Sequence, residues 1–238
     1  MENVFTTPII IEFNGLPGSG KTTIVHALRE KFESMGITTC FGYFRYRFFS
    51  DARFLYLMPY YWGKLRIVYN YSRLLPRRPS MSWILSMINI IRMYKQFIAD
   101  HPKDVMLIDH GVVQSMISIA HQYPIVTNEL KPLLESIGLS EFPLVIVNTQ
   151  IEIEASNKRI EERPSNGCRV ESMSEKERRR ILTIQNANFK EVRNAIKEIS
   201  DYSYVIDVNT DRPIDDSVEI ILSKMSKIYP SISCALSR

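Results

Sequence analysis

The residues best equipped for chemistry stand in one run, Gly15-Leu16-Pro17-Gly18-Ser19-Gly20-Lys21-Thr22, followed by Thr23. Their spacing matches G-x-x-x-x-G-K-[ST] at every fixed position. Glycines let the backbone turn its amides inward and come close to phosphate oxygens. A helix opening immediately afterwards adds partial positive charge at its N-terminus. Lys21 supplies a point charge suited to β- and γ-phosphates, and the Thr22 hydroxyl suits Mg2+. Gly15 to Thr23 therefore reads as a cradle for the phosphates of ATP, with Mg2+ beside it.

A second group is acidic. Asp109 ends the apolar run Val105-Met106-Leu107-Ile108. A carboxylate at that end of a parallel strand can hold Mg2+ or take the proton of an acceptor hydroxyl. Capping the next helix is the plainer role. The spacing leaves all three open.

A third group is cationic. Arg159 and Arg163 lie four apart, which puts both on one helix face, and Arg169 follows the loop Pro164-Ser165-Asn166-Gly167-Cys168. Arginines that close over a transferring phosphoryl group stabilise its equatorial oxygens. Salt bridges to Glu154, Glu161 and Glu162 are the simpler use. The run Arg178-Arg179-Arg180 reads as a solvated helix face.

These groups need a frame, and the hydrophobic pattern supplies one. Apolar or β-branched runs at Pro8–Asn14, Ile37–Phe44, Val105–Asp109, Phe142–Thr149 and Ser203–Val208 predict five strands. Helical spacing fills the intervals: Thr22–Met35 ending at Gly36, Ser50 to about Leu75, Met81–Ala99, Gly111–Gln122, Asn128–Ile137, Ile153–Glu162, Ser174–Ser200 and Asp215–Ile228. Alternating strands and helices predict an α/β fold, a three-layer αβα sandwich around a five-stranded parallel sheet. At 238 residues the expectation is a single domain over 1–230, with a lid at about 155–172 and a loose tail at 231–238.

Composition narrows the function classes. Hydrophobic residues make up 45% of the chain, enough for a full core. No apolar run is long enough to span a membrane, and the N-terminus lacks the pattern of a secretory signal. The expected location is cytoplasmic. Cys40, Cys168 and Cys234 show neither metal-ligand spacing nor a disulfide framework. Net charge is +4 but unevenly spread: residues 41–100 carry ten Lys and Arg against only Asp51 and Asp100. That stretch is also crowded with aromatics. It suits an anionic partner, a stacked base or a membrane surface, where Tyr60-Tyr61-Trp62 would be the anchor. A solvated helix over an aromatic core is the bland reading.

Gly15 to Thr23 resembles the phosphate loop of nucleoside and nucleotide kinases, and the pattern over residues 8–228 is thymidylate kinase-like. The resemblance implies a P-loop kinase that moves the γ-phosphoryl group of ATP·Mg2+ to a small acceptor, a nucleoside or nucleoside monophosphate. It implies catalytic roles for Lys21, Asp109, Arg159, Arg163 and Arg169, and metal binding by Thr22 and Asp109. It gives residues 45–100 an acceptor-side role and sets the turn Asn209-Thr210-Asp211-Arg212-Pro213 against adenine. A homodimer is common among such kinases; no stable nucleic-acid partner is expected. The chain departs from the pattern at Phe13-Asn14, where thymidylate kinases usually carry Phe-Glu. It departs again at Asp109-His110-Gly111, where His110 replaces an arginine, and after the second strand, where Asp51 is a late first acid. Gln114 either faces the acceptor or lies on a helix surface. A sugar, antibiotic or lipid-linked acceptor and an ATP-dependent switch are the alternatives.

Overall fold

A computed structural model describes residues 8–42, 81–101, 105–120, 124, 127–136, 138–163, 170–199, 204–230 and 232. The helix expected over Ser50–Leu75, Tyr60-Tyr61-Trp62, Asp51, Arg169 and the 231–238 tail (apart from residue 232) lie outside the described residues.

In chain order the elements are β1 (Ile9–Gly15), α1 (Lys21–Ser34), β2 (Thr39–Gly42), α2 (Met81–Asp100), β3 (Val105–Ile108), α3 (Val112–Ala120), α4 (Thr127–Ser136), a 3-10 turn (Leu139–Glu141), β4 (Leu144–Gln150), α5 (Ile153–Glu162), α6 (Glu175–Ile199), β5 (Tyr204–Asn209) and α7 (Ile214–Ile228). The five strands form one parallel sheet in the order β2-β3-β1-β4-β5. This is the expected α/β architecture.

Every residue of β1 is buried, because helices cover both faces of the sheet. Alternation sorts its side chains. Ile9, Ile11 and Phe13 join a core with α1 and α7, built from residues such as Val25, Leu28, Ile221 and Met225. Ile10 points the other way, into a core with α2, α3, α4 and α6 that includes Tyr94, Ile117, Leu134 and Phe189. Each isoleucine so buried stabilises the fold by about 1.5–3 kcal/mol. Glu12 and Asn14 share the face of Ile10, and both are fully buried.

α1 ends as its sequence implies. Gly36 takes φ +73°; its N–H donates to the Glu33 carbonyl, and the Ile37 N–H donates to the Phe32 carbonyl. That double bond closes the helix and turns the chain toward β2. The described part of β2 starts at Thr39, two residues later than expected, because Ile37 and Thr38 complete the turn.

Two expectations fail for local reasons. α5 stops at Glu162, and Arg163 is extended at φ −87°, ψ 146°. Pro164 follows, and a proline pushes its predecessor out of the helical region. Arg163 therefore does not share a helix face with Arg159. Arg178 is not solvated either. It is 6% exposed and belongs to the buried stripe of α6 with Ile181, Leu182 and Gln185, its guanidinium 2.5 Å from Glu161 of α5. Arg179 fits the expected exposed face, paired with Glu154 and Glu175.

Candidate functional site

The sheet creates the site by its topology. β1 feeds α1 on one face and the chain returns to the β2 edge. β3 feeds α3 and α4 on the other face and the chain crosses β1 to reach β4. A crevice opens where the connections diverge, at the carboxyl ends of β1 and β3. It holds a cavity of about 820 Å³ lined by, among others, Gly18, Lys21, Thr22, Asp109, Arg159 and Arg163.

The loop from Gly15 to Gly20 is braced from below. A side chain at Gly15 would put its Cβ 2.2 Å from Thr149 Oγ1 and 2.5 Å from the Thr149 carbonyl oxygen, so only glycine fits against β4. Thr149 Oγ1 donates to the Asn14 carbonyl at 2.9 Å and lies 2.6 Å from Ser19 Oγ. Ser156 of α5 donates to the Pro17 carbonyl at 2.7 Å. Leu16 is buried in the α3-side core, which anchors the loop there. Gly20 caps α1 at φ +79°, and the first turn of α1 contains no acid, which keeps its N-terminus favourable to an anion.

The charged groups converge there. Lys21 Nζ donates to the Gly15 and Leu16 carbonyls at 3.0 and 2.9 Å. The Thr22 hydroxyl donates to Asp109 Oδ2 at 2.6 Å, across 87 residues of sequence. Asp109 Oδ1 is buried and has no hydrogen-bond partner. A hydroxyl beside a carboxylate with a spare buried oxygen is a hard, oxygen-only donor pair, which fits Mg2+ with phosphates and waters completing the shell. The residues present therefore fit the metal the sequence implies.

Arg159 Nη2 donates to the Thr210 carbonyl at 3.2 Å and lies 3.5 Å from Asp211, while Nη1 comes within 3.5 Å of the Gly18 carbonyl oxygen. It ties the phosphate loop to the β5–α7 turn. Thr210, Arg212 and Ile214 line the same cavity, as does Arg163, which pairs with Glu171 at 3.1 Å. Thr23 lines it as well.

His110 lines the cavity next to Asp109. Burial holds its pKa below the usual 6.5, Lys21 pushes the same way and Asp109 opposes, so the ring is neutral at pH 7. Gln114 is 7% exposed, and its Oε1 accepts the Gly15 N–H at 3.3 Å. It therefore faces the loop and not solvent.

The sequence reading passed over Glu12. Its carboxylate accepts from the backbone N–H groups of Val112 at 3.0 Å, Val113 at 2.7 Å and Gln114 at 3.3 Å, and from the Tyr94 hydroxyl at 3.1 Å. Burial raises its pKa to about 7 against the pull of those donors. The signal was an acid inside a strand whose neighbours are all apolar.

No protein-family model and no curated protein matches the chain. Two solved structures of a deoxyadenosine kinase from M. mycoides match in fold. The one with bound dATP is 16% identical, with a TM-score of 0.50 over 91% of this chain and 98% of that one. The one with the products dCMP and a flexible dCDP is 16% identical, with a TM-score of 0.52 over 92% of this chain and 100% of that one. At this identity the likeness is one of fold: the chain shares the α/β fold of those two structures. Among the described residues, no helix is long and apolar enough to cross a membrane.

Proposed function

We propose that this protein transfers the γ-phosphoryl group of ATP to a nucleoside or a nucleoside monophosphate. The observation that carries the reading is the contact of Thr22 with Asp109, which joins the phosphate loop to the end of β3 at the divergence of the sheet. Arg159 and Arg163 reach the same cavity from the lid side.

The chain's own groups have distinct tasks in this scheme. Amides of Gly15 to Gly20 and the N-terminus of α1 bind the phosphates. Lys21 exchanges its loop carbonyls for β- and γ-phosphate oxygens. Thr22 and Asp109 would hold Mg2+, which when bound would supply charge neutralisation for the nucleotide phosphates. In this scheme Asp109 serves the metal, a role supported by its contact with Thr22. The β5–α7 turn, with Thr210 and Arg212, receives the base of ATP. Arg163, released from Glu171, and Arg169 close on the transferring group and exclude water. The bond from the acceptor oxygen to phosphorus forms as the bond to the ADP oxygen breaks; the proton of a hydroxyl acceptor passes to an oxygen of the transferred phosphoryl group and reaches solvent when the site reopens.

His110 favours a nucleoside over a monophosphate. It stands where thymidylate kinases carry an arginine, and as a neutral ring it offers no fixed cation to an acceptor phosphate. A sugar or another hydroxylated small molecule is the remaining alternative on the same ground.

The test is transfer of label from γ-labelled ATP to a panel of nucleosides, nucleoside monophosphates, sugars and a lipid extract, with Lys21→Ala as control. Labelled nucleotide that disappears in the control is the expected result. Label found in inorganic phosphate alone, or nowhere, overturns the reading.

A further inference from the structure

Glu12 is fully buried on the central strand, three residues before Gly15 opens the phosphate loop. Nothing in the transfer scheme uses it. Its surroundings are specific. One oxygen accepts from Val113 and Gln114, the other from Val112 and Tyr94. The three amides are free donors of the first turn of α3, so the carboxylate caps that helix from a strand about a hundred residues earlier. The link from β3 to α3 wraps around it: a Cβ on Gly111 would sit 2.2 Å from Glu12 Cδ.

That link consists of Asp109, His110 and Gly111. One end carries the carboxylate that meets Thr22; the other opens the helix whose Gln114 accepts the Gly15 N–H. Glu12 thus grips the piece of chain that aims both contacts at the phosphate loop. A helix can be capped more cheaply by a Ser, Thr or Asn near its own start, whereas a buried carboxylate carries a large desolvation penalty.

We propose that Glu12 is a positioning residue: by holding the first turn of α3 against β1, it sets Asp109 against Thr22 and Gln114 against the Gly15 amide, and so tunes the metal-linked binding of nucleotide. The proposal rests on the kinase reading above and names a residue that acts through Asp109, not on substrate.

The charge state of Glu12 enters through geometry. As a carboxylate it accepts from all three amides; as an acid, one oxygen must donate. Tyr94 on α2 is the titratable group that faces it among the described residues. α3 presents backbone amides, and its register partners on β3 and β4 are Ile108 and Ile146. Its pKa is raised to about 7, so the carboxylate form and the well-held turn take over as pH rises through that value.

The experiment is calorimetric titration with ADP, with and without MgCl2, between pH 6 and 8.5, which needs no acceptor and no turnover. In the wild type Mg2+ tightens ADP, and the gain grows through about pH 7. Glu12→Gln lowers the gain by about tenfold or more, the size seen when an outer partner of a metal ligand is lost, and leaves metal-free ADP affinity within about twofold. It also loses the part of the pH dependence that exceeds the titration of the ADP phosphate itself, measured for Mg2+ and ADP without protein. Tyr94→Phe removes one donor to the carboxylate, keeps the fold, and moves the midpoint of the gain to higher pH. A full Mg2+ gain in Glu12→Gln overturns the proposal. If that variant does not fold, an unmoved midpoint in Tyr94→Phe overturns it instead. Failure of the wild type to bind ADP at all sinks the kinase reading, and this inference falls with it.

Discussion

The Thr22 hydroxyl and the Asp109 carboxylate meet at 2.6 Å although 87 residues separate them, because β1 and β3 are hydrogen-bonded neighbours whose ends open on the same crevice. If the pair holds the metal, Asp109→Asn and Thr22→Ala should each raise the Mg2+ concentration for half-maximal phosphoryl transfer by at least about tenfold. Rate against Mg2+ concentration measures this. Superimposable curves for wild type and both variants would remove the pair from the metal site.

Lys21 Nζ donates to two carbonyls of the loop itself, and the proposed chemistry depends on its charge, so its loss should strike the chemistry harder than the fold. Lys21→Ala should lower kcat by on the order of 10²–10³-fold, the scale for one lost transition-state donor. Its melting temperature should move by less than about 4 °C, the shift that ~1 kcal/mol produces at this size. A large fall in melting temperature would mark the lysine as structural.

Gly111 and Glu12 should be coupled in stability. Gly111→Ala drives a Cβ into the buried carboxylate, and overpacking of that kind costs about 1–3 kcal/mol. Removing the obstacle should relieve it: the Glu12→Ala/Gly111→Ala double variant should be more stable than the sum of the single effects predicts. Denaturant melts of the four proteins in the cycle decide the matter, and strict additivity would mean that the turn relaxes away from Glu12.

Glu12 should also leave a mark on the pH dependence of stability. Its folded pKa, about 7, lies above its ordinary value of 4.5, so the folded chain binds the proton more tightly than the unfolded chain. Stability from this group is full below about pH 4.5, declines as pH rises toward 7, and is flat beyond. The total is about 3 kcal/mol, an order-of-magnitude figure from the size of the shift. Glu12→Gln should remove that slope. A slope unchanged in the variant would assign it to other groups.

The pair of Arg178 and Glu161 makes an asymmetric prediction. Arg178 is nearly buried and Glu161 half-exposed, their charged ends 2.5 Å apart. Glu161→Ala strands a buried guanidinium and should cost about 1–3 kcal/mol. Arg178→Met removes the charge and keeps the volume, so it should cost less. Equal losses in urea melts would show that the charge carries no penalty of its own.

The sequence exposed some of this arrangement and hid the rest for identifiable reasons. The phosphate loop is legible because glycine, lysine and threonine are each demanded by a local backbone job, and the strand before it and helix after it follow their periodicity. The position of Asp109 at a strand end was legible too, but its meeting with Thr22 depends on strand order, which no local pattern states. Arg163 was misplaced because its four-residue spacing from Arg159 outweighed Pro164, the stronger local rule. Arg178 was read with its charged neighbours, when its spacing of three and four from Ile181 and Leu182 put it on the apolar stripe. Glu12 is legible only through its neighbours: an acid following three isoleucines in a fully buried strand needs partners inside the fold, and no local pattern says where they come from.

The place of β1 at the centre of the sheet has a consequence for how the protein is made. Both partners of β1, β3 and β4, follow it far along the chain. At roughly 5–20 residues per second, a ribosome needs on the order of ten seconds to deliver β4 after β1 has emerged. Until β3 is made, Ile9, Ile10 and Ile11 have no strand to pair with, and until β4 is made one edge of β1 stays open. Nascent chains stalled before Leu144 should therefore be digested by protease at β1, and chains long enough to expose β5 should resist. The Gly15–Gly20 loop is the first part of the candidate site to be synthesised, and its brace at Thr149 is among the last to arrive.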